Sequence, residues 1–174
     1  MKKIIALLCA LLLLAVSCAC ADSTIVEFNN TIQLNGNLPN GYQFSLESQE
    51  AFALEGTASS GDPAAPALEI YIGFNDSYAG IESLDKLDEA SLEFIKQGFS
   101  EEYGVTFGSF DTASGDSFLQ VKENNGLFLD FYTICLGYEI ELTLFPAEGQ
   151  TLSEEQISQW TEFVRTLDIL PIRG

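Results

Sequence analysis

The chain has 174 residues, of which 26 are Asp or Glu, 7 are Lys or Arg and none is His, for a formal charge of -19. A surface this acidic repels nucleic acid and anionic lipid headgroups. Without histidine, Ser-His-Asp and Cys-His catalysis and imidazole ligation of zinc or haem are excluded.

Lys2 and Lys3 precede an apolar run from Ile4 to Val16 and small residues ending in Ala19-Cys20-Ala21, the pattern of an export signal over residues 1–21 cleaved after Ala21. Ala15-Val16-Ser17-Cys18 offers the alternative of a lipoprotein signal, with a lipid anchor on Cys18. The apolar run is shorter than the roughly 20 residues that cross a bilayer, so no membrane span is expected. The expected location is extracytoplasmic, secreted or else anchored through Cys18. Removing 21 residues leaves 153, and takes Lys2 and Lys3 with it, so that 5 basic residues face 26 acidic ones and the charge becomes -21. Residues 22–174 suit a single globular domain. Cys135 is then the only cysteine, which excludes an internal disulfide and reads as a small buried hydrophobe.

Along the mature chain, Ile25 to Leu34 and Tyr42 to Leu54 carry β-rich patterns separated by Asn35-Gly36-Asn37 and Pro39-Asn40-Gly41, which predicts an opening hairpin. Gly56 to Ala67, with Gly61, Pro63 and Pro66, reads as a surface loop. Leu68 to Phe74 alternates apolar and polar residues, the mark of a strand buried on one face. Leu84, Leu87, Phe94, Ile95 and Phe99 recur at helical steps and predict a helix from about Ser83 to Tyr103, closed by Gly104. A four-strand antiparallel meander follows. A second amphipathic helix opens on the capping box Ser153-Glu154-Glu155-Gln156, carries the stripe Ile157, Trp160, Phe163, Val164 and Leu167, and stops before Pro171.

The meander's register follows from its turns. A three-residue loop at Asn124-Asn125-Gly126 sets Leu119 opposite Phe131 and Val121 opposite Leu129. A two-residue loop at Leu136-Gly137 sets Cys135 opposite Tyr138, Thr133 opposite Ile140, Phe131 opposite Leu142 and Leu129 opposite Leu144. One face is then apolar. The other carries Phe118, Gln120, Lys122, Asp130, Tyr132, Glu139, Glu141 and Thr143, with Gln120 opposite Asp130 and Lys122 near enough to neutralise it. Asp130, Tyr132, Glu139 and Glu141 form the candidate binding surface. Asn75, Asp76 and Glu82, before the first helix, are the candidate ligands of a calcium ion held by irregular oxygen donors. No P-loop, dinucleotide fingerprint or EF-hand loop is present.

The residues Gly137-Tyr138-Glu139-Ile140-Glu141-Leu142, then Leu152-Ser153-Glu154-Glu155-Gln156-Ile157 and Thr166-Leu167-Asp168-Ile169, resemble the PsbP/Mog1-like fold family. The resemblance covers Ile81 to Ile169 and implies an α+β fold, an α/β/α sandwich around an antiparallel sheet, and a non-catalytic role. The expectation is an exported accessory or binding protein without cofactor, its partner a protein or glycan of the cell envelope, basic to suit the charge. The alternatives are a calcium-dependent binding module and a carboxylate-based glycoside hydrolase.

Overall fold

The computed structural model describes residues 23–100 and 104–172. The predicted export signal, the candidate lipidation site Cys18 and the predicted helix end at Tyr103 lie outside the described residues. The fold is α+β, built on two antiparallel sheets. Strands β1 (Ser23–Phe28), β2 (Ile32–Gly36) and β10 (Asp168–Pro171) make a three-stranded sheet in the order β1-β2-β10. The larger sheet contains β3 (Tyr42–Gln49), β4 (Ala53–Ser60), β5 (Ala67–Phe74), β6 (Val105–Asp111), β7 (Ser117–Glu123), β8 (Leu129–Cys135) and β9 (Tyr138–Phe145), in the order β3-β4-β5-β9-β8-β7-β6.

The predicted opening hairpin is replaced by two hairpins in different sheets. Asn29 and Asn30 both sit at positive φ, 49° and 52°, and Thr31 N donates to Phe28 O at 2.8 Å, so the chain reverses between β1 and β2. Asn tolerates that left-handed geometry, which matches the twist of paired strands. β3 pairs instead with β4, which runs through the segment expected to be a loop; only residues 61–66 remain outside strands there. Gly56 is a close-approach glycine, not a turn residue: a Cβ on it would meet the Phe44 ring at 2.4 Å.

Helix α1 covers Glu89–Ser100 and begins later than the periodicity predicts. Asp88 Oδ1 accepts from Ser91 N at 2.7 Å and caps the helix at that point, while Leu84 lies in a separate 3-10 turn, Leu84–Lys86. Helix α2 (Glu154–Arg165) has the predicted box: Ser153 Oγ accepts from Gln156 N at 3.2 Å and Gln156 Oε1 from Ser153 N at 2.9 Å.

The hairpin turn at Leu136-Gly137 has the predicted register, with both residues at positive φ, 51° and 84°. The β7–β8 register is shifted by one residue, a correction with consequences for the site. Leu119 faces Tyr132, Gln120 faces Phe131, Val121 faces Asp130 and Lys122 faces Leu129. The cause is Glu123, 2% exposed, whose Oε2 accepts from Asn125 N at 2.8 Å and Leu127 N at 3.0 Å. That carboxylate draws Leu127 into the loop, and Glu123 N closes it on Phe128 O at 3.3 Å. Gly126 keeps the predicted left-handed conformation, φ 73°.

Two apolar clusters therefore lie on opposite faces of the larger sheet. The main one joins Leu68, Ile70, Ile72, Phe118, Phe131, Ile140, Leu142 and Leu144 to Phe28, Ile32 and Leu34 of the smaller sheet and to Ile157, Trp160, Phe163 and Val164 of α2. Trp160 is 1% exposed, edge-on to Tyr42 at 5.0 Å and to Phe163 at 5.4 Å. The second cluster holds Leu119, Val121, Tyr132 and Ile134 under Leu84 and Ile95. Helix α1 thus covers the β6–β8 half of its face, and Phe118, Gln120 and Lys122 belong to the face of α2, where Gln120 Nε2 donates to Thr161 Oγ1 at 2.8 Å.

Candidate functional site

On the face that carries α1, the cross-strand pairing aligns residues from several strands into rows. Burying Leu68, Ile70 and Ile72 in the main core turns Glu69, Tyr71 and Gly73 to this face, and burying Ile140, Leu142 and Leu144 does the same for Glu139, Glu141 and Thr143. One row reads Glu55, Tyr71, Glu141, Tyr132, Leu119 and the next Thr57, Glu69, Thr143, Asp130, Val121. A third sets Gly73 beside Glu139 and Ile134. Facing residues in such rows sit about 5 Å apart, close enough for side chains to interact.

Tyr132, Glu139 and Glu141 are brought together as the sequence predicts. Tyr132 donates its hydroxyl to Glu139 Oε1 at 2.8 Å. Burial, then the Glu139 hydrogen bond and charge, push the Tyr132 hydroxyl far above its ordinary range, so it stays a donor at every accessible pH. Burial and the neighbouring Glu139 raise Glu141 as well. Asp130 shares the face but lies beneath its surface, 3% exposed. Burial, reinforced by Glu141, pushes its carboxyl up to about 8, against the opposing hydrogen bonds from Thr143 Oγ1, 3.4 Å away, and from the Phe131 backbone. Asp130 is therefore largely neutral at pH 7.

The sequence reading missed Tyr71, Glu55 and Tyr78. Tyr71 was readable from the alternation of Leu68 to Phe74, which sets it on the polar side of β5. Its ring lies along the strand over Gly73, where a Cβ would meet the hydroxyl at 2.0 Å. The predicted partnership of Asp130 with Gln120 and Lys122 does not form; Lys122 Nζ is 2.7 Å from Glu154 on α2 instead.

Two of the clefts on this face share Glu141. One, about 270 Å³, is lined by Glu47, Glu55, Glu69, Tyr71, Glu141 and Thr143. The other, about 300 Å³, lies between α1 and the sheet and is lined by Tyr78, Phe94, Phe99, Tyr132, Glu139 and Glu141. Among the described residues, no basic side chain pairs with these carboxylates. Lys86 is bound to Asp85, Lys96 to Glu93 and Lys122 to Glu154, and the Arg165 guanidinium stacks 4.5 Å over Phe110.

The predicted calcium loop borders this face through Tyr78, but its three candidate ligands do not line either cleft. Asn75 Oδ1 accepts from Ser77 N at 2.9 Å as a cap, and Asp76 and Glu82 are exposed. Among the described residues, no three His, Cys, Asp or Glu side chains are gathered closely enough to hold a metal ion. Cys135 is buried, its thiol pushed up to about 11 by burial and then Asp116. No helix among the described residues is long and apolar enough to cross a membrane.

The site defines an α+β protein with a half-covered antiparallel sheet bearing interleaved carboxylates and aromatics. The chain matches no protein-family model, no curated protein and no solved structure.

Proposed function

We propose that this chain is an exported, non-catalytic binding protein whose acidic and aromatic sheet face captures a basic partner of the cell envelope. One observation carries the reading. Glu47, Glu55, Glu69, Glu139 and Glu141 share one face with Tyr71, and none of them is matched by a basic side chain among the described residues. A folded protein that leaves such charge unmatched on one surface gains by placing an opposite charge there, and complementary potentials speed and select that encounter. The PsbP/Mog1-like α/β/α arrangement belongs to this proposal. Its support is that the two helices pack on opposite faces of the larger sheet.

The test compares two charge-matched double variants in titrations with a lysine-rich peptide at physiological salt. Glu139→Gln with Glu141→Gln alters the face; Glu148→Gln with Glu162→Gln removes the same charge from exposed positions elsewhere. The face variant is expected to bind about tenfold more weakly while melting no lower than wild type, because it relieves carboxylate repulsion. Equal weakening by both variants would reduce the effect to net charge and overturn the proposed surface.

A further inference from the structure

The cleft between α1 and the sheet has a composition that the rest of the face lacks. Four aromatic side chains, Tyr78, Phe94, Phe99 and Tyr132, wall it, with the carboxylates of Glu139 and Glu141 at one side. Phe99 packs edge-on to Tyr132 with ring centroids 6.0 Å apart, which fixes the inner wall, and Phe94 stands 74% exposed at the rim. A metal ion is a poor occupant, since calcium takes six to eight oxygen ligands and aromatic carbon offers none. A neutral apolar guest would strip water from two glutamates without replacing it. An organic cation satisfies both walls at once, its charge meeting the carboxylates and its carbons and spread positive charge meeting the rings.

Gly98 gives independent support. It lies within α1 and lines the cleft, yet a Cβ there would meet no atom within 4 Å. Packing therefore does not demand glycine at a position where nearly every other residue favours the helix more. What its missing side chain does is keep the cleft open.

We propose that this cleft is a binding site for an organic ammonium group. The proposal deepens the reading of the face as a surface for basic partners and rests on it for Glu139 and Glu141. The ammonium group has two sources, a free quaternary amine or the lysine side chain of a bound protein.

The test is a saturation-transfer and chemical-shift NMR titration of the protein with tetramethylammonium chloride and with butylammonium chloride, against sodium chloride at matched ionic strength. Both cations are expected to show saturable binding, with shifts centred on Tyr132, Phe99 and Glu139. Preference for tetramethylammonium identifies the free amine, and preference for butylammonium the lysine side chain. Gly98→Leu fills the cleft and is expected to weaken binding at least about tenfold while melting at or above the wild-type temperature. Glu55→Gln with Glu69→Gln, on the open half of the face, should leave ammonium binding within about twofold while weakening capture of the lysine-rich peptide. Absence of saturable binding, or binding unchanged in folded Gly98→Leu, overturns the cleft site even where peptide capture persists. Loss of peptide specificity with ammonium binding intact overturns the wider face and leaves the cleft standing.

Discussion

Replacing Asp130 with Asn removes a carboxyl whose folded-state ionisation is opposed chiefly by burial and then by Glu141, and which is raised from its ordinary 3.8 to about 8. A group whose folded pKa lies above its unfolded one stabilises most when protonated, so its contribution is full below pH 3.8 and is lost as pH rises toward 8. The loss grows by about 1.4 kcal/mol for each pH unit in that window, reaching about 4 kcal/mol at pH 7. Asn has the size of the protonated acid and keeps an oxygen to accept from Thr143 Oγ1. Asp130→Asn is therefore expected to match wild type near pH 4 and to exceed it by several kcal/mol at pH 7 to 8. Urea unfolding of both proteins at one-unit pH steps measures the gap, and taking the difference cancels the general repulsion of an acidic chain. Parallel stability curves from pH 4 to 8 would refute the reasoning, because they would mean that Asp130 ionises in the folded protein as readily as in water.

Trp160→Ala empties the largest fully buried side-chain volume of the main core and is expected to cost about 3 to 5 kcal/mol, a fall of about 10 °C in a calorimetric melt. Glu123→Gln weakens the clamp on the β7–β8 loop. Because hydrogen bonds from the backbone of Leu127 and then Asn125 lower the Glu123 pKa, against its desolvation, its stabilising effect is present at neutral pH and fades as pH falls through that lowered value. The melting-temperature gap to wild type should accordingly close in acid. Cys135, buried and with its thiol raised to about 11, is expected to resist a thiol reagent in the native protein and to react on unfolding, followed by mass mapping of its peptide.

Where a pattern reflects one local cause, the fold was legible in the chain. The alternation of Leu68 to Phe74, the capping box at Ser153 and the Leu136-Gly137 turn each act within a few residues, and each appears as predicted. The failures come where a distant or buried group decides. Gly56 reads as a loop residue until Phe44 is seen lying on it from the neighbouring strand. Asn29-Asn30 looks like part of a strand until both residues adopt positive φ. Of the site, Tyr132, Glu139 and Glu141 followed from the β8–β9 register. The alternation of Leu68 to Phe74 put Tyr71 on the polar side of β5, but joining it and Glu55 to Glu141 required knowing that β5 pairs with β9 and β4 with β5, which no turn in the sequence specifies.

The one-residue slip at the β7–β8 turn removes a basic residue from the face. With the three-residue loop, Lys122 would have stood on the same side as Asp130 and offered it a counter-ion. The Glu123 carboxylate lengthens the loop by one residue, and because side chains alternate, that slip turns the whole of β7 over. Leu119 and Val121 then supply apolar floor beneath α1, and Lys122 crosses to the other face to meet Glu154. Asp130, buried beside Val121 and without a cation, holds its proton. The displacement of Lys122 from the proposed surface thus depends on a buried glutamate in the β7–β8 turn. A deletion that restored the three-residue loop would return Lys122 to Asp130 and weaken capture of basic ligands without altering any residue that lines the cleft.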